Sequence, residues 1–247
     1  MLTDFGGADS YVAEVRGVLL TQAPGAVLAD ITHTITPGDV RAAAYVLGRA
    51  WHRFPLGTVH LVVVDPGVGT SRTALAFHAR GHFFVGPDNG VFTSVYHDTP
   101  VEMVTLSVPS DASPTFQGRD LFAPAAAALA SGRPLAALGP AFAGIPERLV
   151  LPEPRYEGKT LVGQVIYVDW FGTLVTNLVA EQVPSHASVM IEDLDLGTLH
   201  RTFGDVPAGA LVAYGGSGGL VEVAVRDGSA ERRLGMGVGG RVRVVLG

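Results

Sequence analysis

Val62-Val63-Val64-Asp65-Pro66-Gly67-Val68-Gly69-Thr70-Ser71-Arg72 decides how this chain folds. Consecutive valines with no polar residue between them mark a strand buried on both faces, the habit of parallel sheets covered by helices. The strand ends on a carboxylate, and a Pro-Gly-Val-Gly turn brings Arg72 back toward Asp65. In open α/β sheets ligands collect at the carboxyl ends of strands, so Asp65 stands where chemistry usually happens. Gly67 and Gly69 permit positive φ and close approach of backbone or ligand. A guanidinium beside the carboxylate fixes its orientation. The same pair could also brace the turn and take no part in chemistry.

Working outward, Leu2-Thr3-Asp4-Phe5-Gly6 reads as a clipped strand running into a glycine turn. Residues 11–22 carry helical spacing of Val12, Val15, Val18 and Leu19, and Pro24-Gly25 ends the helix. Residues 27–31 read as a short strand, and Pro37-Gly38-Asp39 opens a helix that runs through Trp51. Residues 74–77 and 83–86 form paired strands joined near Arg80-Gly81; Pro87-Asp88-Asn89-Gly90 then turns into a short helix. Residues 122–130 form an alanine-rich helix. Strands alternating with helices predict an α/β layered domain.

A connector follows, stiffened by Pro146, Pro152 and Pro154 and made polar by Glu153, Arg155, Glu157 and Lys159. Beyond it, residues 161–168, 174–179, 188–191, 211–214, 220–225 and 241–246 are short β-rich runs between glycine turns, with no convincing helix pattern. Such a series reads as a small sandwich or barrel. The expected organisation is an N-terminal α/β domain over 1–154 and a C-terminal β domain over 155–247.

Composition narrows the function. Of 247 residues, 47% are hydrophobic and 16% charged, the balance of a globular protein with an ample core. A net charge of −6 without a basic cluster argues against nucleic acid as a partner. The absence of cysteine excludes disulfides, thiolate metal sites and cysteine nucleophiles. No apolar run reaches membrane-spanning length, and Met1-Leu2-Thr3-Asp4 has no basic leader character, so a cytoplasmic location is expected. His78 and His82 are four apart, but the strand pattern around them speaks against a metal pair. His33 and His60 read as satisfied structural histidines.

Several short segments occur in a telling order. They are Leu2-Thr3-Asp4-Phe5-Gly6, Asp30-Ile31-Thr32-His33, Phe54-Pro55-Leu56-Gly57-Thr58-Val59-His60 and Val64-Asp65-Pro66-Gly67-Val68-Gly69. Pro87-Asp88-Asn89-Gly90, Gly118-Arg119-Asp120-Leu121-Phe122-Ala123-Pro124 and Thr176-Asn177 follow. Each is weak alone; together they cover nearly the whole chain. The series resembles the S-adenosylmethionine hydroxide adenosyltransferase family, hydrolytic relatives of fluorinase and chlorinase. The resemblance implies cleavage of S-adenosyl-L-methionine by water to adenosine and L-methionine, with no metal and no cofactor. It also implies a C-terminal β-barrel and a homotrimer whose active site joins one subunit's N-terminal domain to a neighbour's C-terminal domain.

The chemistry suits the residues. Attack at the 5′ carbon of a sulfonium expels a neutral thioether, so no general acid is needed. The site must supply an oriented oxygen nucleophile and exclude other water. Asp65 can hold that water and Arg72 can fix Asp65. The family pattern places a histidine just before Gly-Arg-Asp, where this chain has Gln117, which hydrogen-bonds but takes no proton near neutral pH.

By the resemblance, Asp4 accepts from the ribose hydroxyls, and Asn89, Thr115 and Gly118 lie near the substrate. Asp169 faces the methionine ammonium and Phe171 stacks on adenine, while Thr173 replaces the usual asparagine of that segment. Asn177 and Ser217 lie along the substrate, and Arg226-Asp227 supplies backbone groups to the adenine edge. Arg119-Asp120 reads as an internal ion pair at the start of a helix. Three rival functions stay open: halide transfer to the same substrate, which the Asp65 carboxylate opposes, non-catalytic binding of adenosine or S-adenosylmethionine, and a generic metal-dependent hydrolase, which insensitivity to a chelator would remove.

Overall fold

The computed structural model describes residues 1–96 and 101–246. The chain divides into two compact units, Met1–Leu149 and Val150–Gly247. In the first, β1 (Leu2–Thr3), α1 (Tyr11–Gln22), α2 (Val40–Ala50), β2 (Val59–Val63), β3 (Ala74–Ala79), β4 (His82–Pro87), β5 (Glu102–Thr105) and α3 (Ala123–Ala130) follow one another. The strands make one sheet of order β1-β2-β4-β3-β5. β2 runs parallel to both of its neighbours, β1 and β4, while β3 is antiparallel to β4 and β5. The sheet is therefore mixed.

The valine run behaves as its composition demands. Leu61 and Val63 enter one apolar cluster with Val15 and Leu19 of α1 and Ala126 of α3. Val62 and Val64 point the other way, into a cluster with Ala43 and Leu47 of α2 and Phe77 and Phe84 of the sheet. Successive side chains of a strand alternate between faces, and both faces here are covered. The start of α2 follows local chemistry: the Asp39 side chain accepts from the Ala42 N–H and caps the helix.

Three sequence expectations need correction. Residues 27–31 form no strand: Val27 is 95% exposed, and the stretch is tied to Met1, which donates to the Ala29 carbonyl and accepts from the Ile31 N–H, with an isolated bridge just beyond it between Leu2 and Thr32. The segment after Pro87-Asp88-Asn89-Gly90 is a series of turns and not a helix. In the second unit a short helix, α4 (Ala230–Leu234), does form, capped by the Ser229 side chain on the Arg232 N–H.

The second unit is otherwise β6 (Arg155–Glu157), β7 (Thr160–Val168), β8 (Leu174–Val179), β9 (Ser188–Ile191), β10 (Leu194–Asp195), β11 (Leu211–Gly215), β12 (Leu220–Val225) and β13 (Arg241–Val245). All are paired antiparallel in the order β10-β9-β13-β7-β8-β12-β11, with β6 beside β7. β7 pairs with β13 through its first half and with β8 through its second; its ladder to β8 shifts register between Val165 and Tyr167. Such a bulge bends the strand. Apolar residues from both halves, among them Leu161, Val165, Leu178, Val189, Val223 and Val242, share one core. The protein is of mixed α/β class.

Candidate active site

Asp4 follows β1, Asp65 follows β2, and Asp88 and Asn89 follow β4, so the parallel part of the sheet brings these residues to one edge. Ligands of open α/β sheets gather at such carboxyl ends.

The Asp65–Arg72 pair predicted from spacing is formed. Arg72 Nε lies 3.0 Å from each Asp65 oxygen, and Nη2 lies 2.5 Å from Oδ2. Their side chains are only 5% and 10% exposed, so little water screens the pair. The turn depends on its glycines for two different reasons. Gly69 sits at φ +77°, a conformation that L side chains rarely adopt. Gly67 does not; a Cβ there would lie 3.2 Å from Arg72 Cγ and push the arginine away. Arg72 also donates through Nη2 to Gln117 Oε1, and its guanidinium lies 5.1 Å from the centre of the Phe122 ring. Gln117 directly precedes a π-helical turn, Gly118–Phe122, that leads into α3; such turns recur at functional sites.

Asp65 and Gln117 line a cavity of about 110 Å³, together with Asp4, Thr115, Phe116 and Gly118. Across it, Asp4 Oδ2 accepts from the Gly38 N–H at 2.8 Å, which holds that carboxylate at the wall. Phe5 and Phe116 stand edge-to-face 5.8 Å apart, with Tyr11 beside both. Behind Phe116, Arg119 bonds Asp120 at 2.6 Å and Glu14 at 2.8 Å, the internal pair expected there. Asn89 does not line the cavity. Its amide donates to the Val64 carbonyl at 2.9 Å and its oxygen accepts from the Val91 N–H, so it braces the end of β2 behind Asp65.

The remaining candidates belong to the second unit. Asp169 Oδ1 accepts from the Phe171 and Thr173 N–H groups at 2.9 and 2.8 Å, which fixes the β7–β8 turn. That turn holds Trp170 and Phe171 out in water, 92% and 76% exposed. Ser217 lies exposed in the β11–β12 turn. Asn177 bridges the backbone of Gln164 and Pro152, accepting from one and donating to the other. Arg226 donates to the carbonyls of Gly204 and Val206, and its own backbone N–H and carbonyl are bonded to Ala210 and Gly209. Asp227 takes a left-handed φ of +59° at the exposed turn before α4.

Sequence reading missed Gly38, Phe5 and Phe116 as cavity walls; aromatic residues two positions either side of a turn carry no signal of which way they face. In the second unit, Tyr214 is hydrogen-bonded to Glu222 and Thr173. Burial, then the charge of Glu222, raises its phenol well above the ordinary range. Thr173 is therefore turned inward and is buried.

Among the described residues no three His, Cys, Asp or Glu side chains gather to hold a metal, and no helix is long and apolar enough to cross a membrane.

Comparison with known proteins agrees with this arrangement. A family model described as SAM hydroxide adenosyltransferase N-terminal domain matches residues 1–139, and one described as SAM hydroxide adenosyltransferase C-terminal domain matches residues 163–243. The chain belongs to the SAM hydroxide adenosyltransferase family. A Thermus thermophilus protein named (R)-S-adenosyl-L-methionine hydrolase is 43% identical over 258 residues, covering 99% of this chain and 98% of its own. A Salinispora tropica protein of the same name is 42% identical, covering 99% and 96%. A crystal structure of an uncharacterized conserved protein from Thermotoga maritima superposes with a TM-score of 0.90 at 36% identity, covering 99% and 98%. The cavity thus offers a fixed carboxylate, a second carboxylate opposite, and an amide held by the same arginine that holds the first.

Proposed function

We propose that this protein cleaves S-adenosyl-L-methionine with water, giving adenosine and L-methionine. The observation that carries the reading is the Asp65–Arg72–Gln117 constellation, opening onto a cavity whose opposite wall bears Asp4. The names of the Thermus and Salinispora relatives point to the same reaction. Water held by Asp65 attacks the 5′ carbon; the C5′–S bond breaks with its electron pair going to sulfur, which leaves as the neutral thioether of methionine. The water proton passes to Asp65 and on to solvent. Positioning supplies most of the rate, because an in-line oxygen held against carbon replaces a bimolecular encounter.

In this reading Asp4 holds the ribose hydroxyls, Thr115 and Gly118 line the reacting centre, and Asn89 keeps the strand end in register. A cavity of about 110 Å³ is smaller than the roughly 300 Å³ and above that a whole ligand of this size fills. Cover for the rest of the substrate comes from a second subunit: Phe171 stacks on adenine, Asp169 meets the ammonium, and Ser217, Asn177, Arg226 and Asp227 complete or support that wall. The assembly is a homotrimer in the cytoplasm, with 1–154 as its α/β domain and 155–247, the bent antiparallel sheet, as its small β-barrel.

Turnover in oxygen-18 water tests the reaction. The label is expected on the 5′ oxygen of adenosine and not in methionine. Stabilisation by substrate without adenosine would make this a binding protein, and a 5′-halogenated product in chloride would make it a halide transferase.

A further inference from the structure

Gln117 is 5% exposed and stands between a guanidinium and the cavity. Arg72 directs Nη2 at its Oε1. A guanidinium carries five donors and no acceptor, so the atom that meets it has to be an acceptor. The amide cannot be reversed without setting N–H against N–H. Its Nε2 therefore turns away from Arg72, on a side chain that lines the cavity. The charged groups around it are Asp65 and Arg72 from the loop after β2 and Asp4 across the cavity. Arg119 and Asp120 follow it on the π-helical turn, paired to each other.

We infer that Gln117 is a fixed hydrogen-bond donor to the attacking oxygen, and that position 117 is never its base. The inference rests on the hydrolysis proposed above. Water accepts from Nε2–H through one lone pair and donates a proton to Asp65, whose oxygens retain lone pairs beyond those facing Arg72. The second lone pair of the water attacks the 5′ carbon, the C5′–S electron pair goes to sulfur, and the proton goes to Asp65. The polarity is imposed by Arg72: whatever occupies 117 accepts on one side and donates on the other. A neutral histidine can do the same, one ring nitrogen accepting and the other N–H donating. A carboxylate cannot, because when ionised it has no donor.

The experiment compares kcat and KM for adenosine formation by wild type, Gln117→Met, Gln117→Glu and Gln117→His between about pH 6 and 9. At about pH 8 Gln117→Met and Gln117→Glu are both expected to lose roughly tenfold or more in kcat with KM within about threefold. Gln117→His is expected to restore kcat and to add an acid-side loss as the imidazole protonates and ceases to accept from Arg72. A glutamate variant as fast as wild type would make position 117 a base and overturn the inference; so would a methionine variant with unchanged kcat. Wild type that forms no adenosine overturns hydrolysis and this role together, whereas wild-type turnover with an unaffected methionine variant overturns this role alone. A crystal structure at atomic resolution needs no substitution: it should show an oxygen within about 3 Å of both Gln117 Nε2 and the Asp65 carboxylate. An Nε2 bonded to a protein carbonyl instead would refute the donor.

Discussion

Lowering the pH should destabilise the first unit through His60, by an amount that can be worked out in advance. His60 and His82 are each 3% exposed and share one hydrogen bond, Nε2 to Nδ1, of 3.2 Å. The His60 ring stacks on Phe84 with centroids 4.9 Å apart, and Phe54 meets it edge-on. Burial, then the neighbouring His82, lowers the His60 pKa from its ordinary 6.5 to about 3. His82 shifts in the same direction, again first by burial and then by His78. A histidine whose pKa is lowered by folding is neutral in the native state and charged in the unfolded chain below pH 6.5. The unfolded chain then binds more protons, so stability is full above that pH and falls as pH drops toward the folded value. For His60 alone the loss between about pH 8 and pH 5 is about 2 kcal/mol. For a unit of this size that lowers the melting temperature by roughly 4–8 °C. Trp51, 7% exposed and 5.2 Å from the His82 ring, reports the event by fluorescence, while Trp170 is already in water. His60→Gln keeps a hydrogen-bonding partner for His82 and does not titrate. Its stability loss between the two pH values should be smaller than the wild type's by about 2 kcal/mol. Equal losses in the two proteins would show that His60 takes up its proton freely in the folded state, and the argument from burial would fail.

Asp65→Asn, which keeps shape and one acceptor for Arg72, should lower kcat by about a hundredfold or more with KM nearly unchanged; a rate within about threefold of wild type would remove the carboxylate from the reaction. Asn177→Ala breaks two bonds to backbone groups and should cost the second unit about 1–3 kcal/mol in denaturant with KM unchanged. A raised KM without lost stability would instead put that amide on the substrate.

Much of the fold was readable because burial leaves a simple trace. Three valines in a row exclude a half-solvated strand, and β2 is covered on both faces. Residues 27–31 misled because their β-branched residues resemble a strand while Val27 is in fact solvated. β5 went unread: four residues, Glu102–Thr105, leave too short a pattern beside a proline. α4 was missed for the same reason, five residues with two arginines among them. In the site, Asp65 and Arg72 were legible because a seven-residue glycine turn leaves few places for the arginine to go. Asn89, Asn177 and Asp169 show the limit. Sequence gives the type of group on offer but not that a nearby backbone N–H or carbonyl has reached it first.

The pleat of β2 has a consequence for how this enzyme family can change its chemistry. Leu61 and Val63 belong to one packed body and Val62 and Val64 to another, so the strand end is located by two independent supports. Asp65 inherits that location through the backbone, and the loop that carries Arg72 then fixes the direction of its carboxylate. The group at 65 is thus a tenant of a frame that does not depend on its identity. Replacing it alters what is presented to the cavity and leaves the frame standing, provided that the new side chain still accepts from the arginine. A scaffold of this kind lets selection change how the reacting oxygen is held one residue at a time.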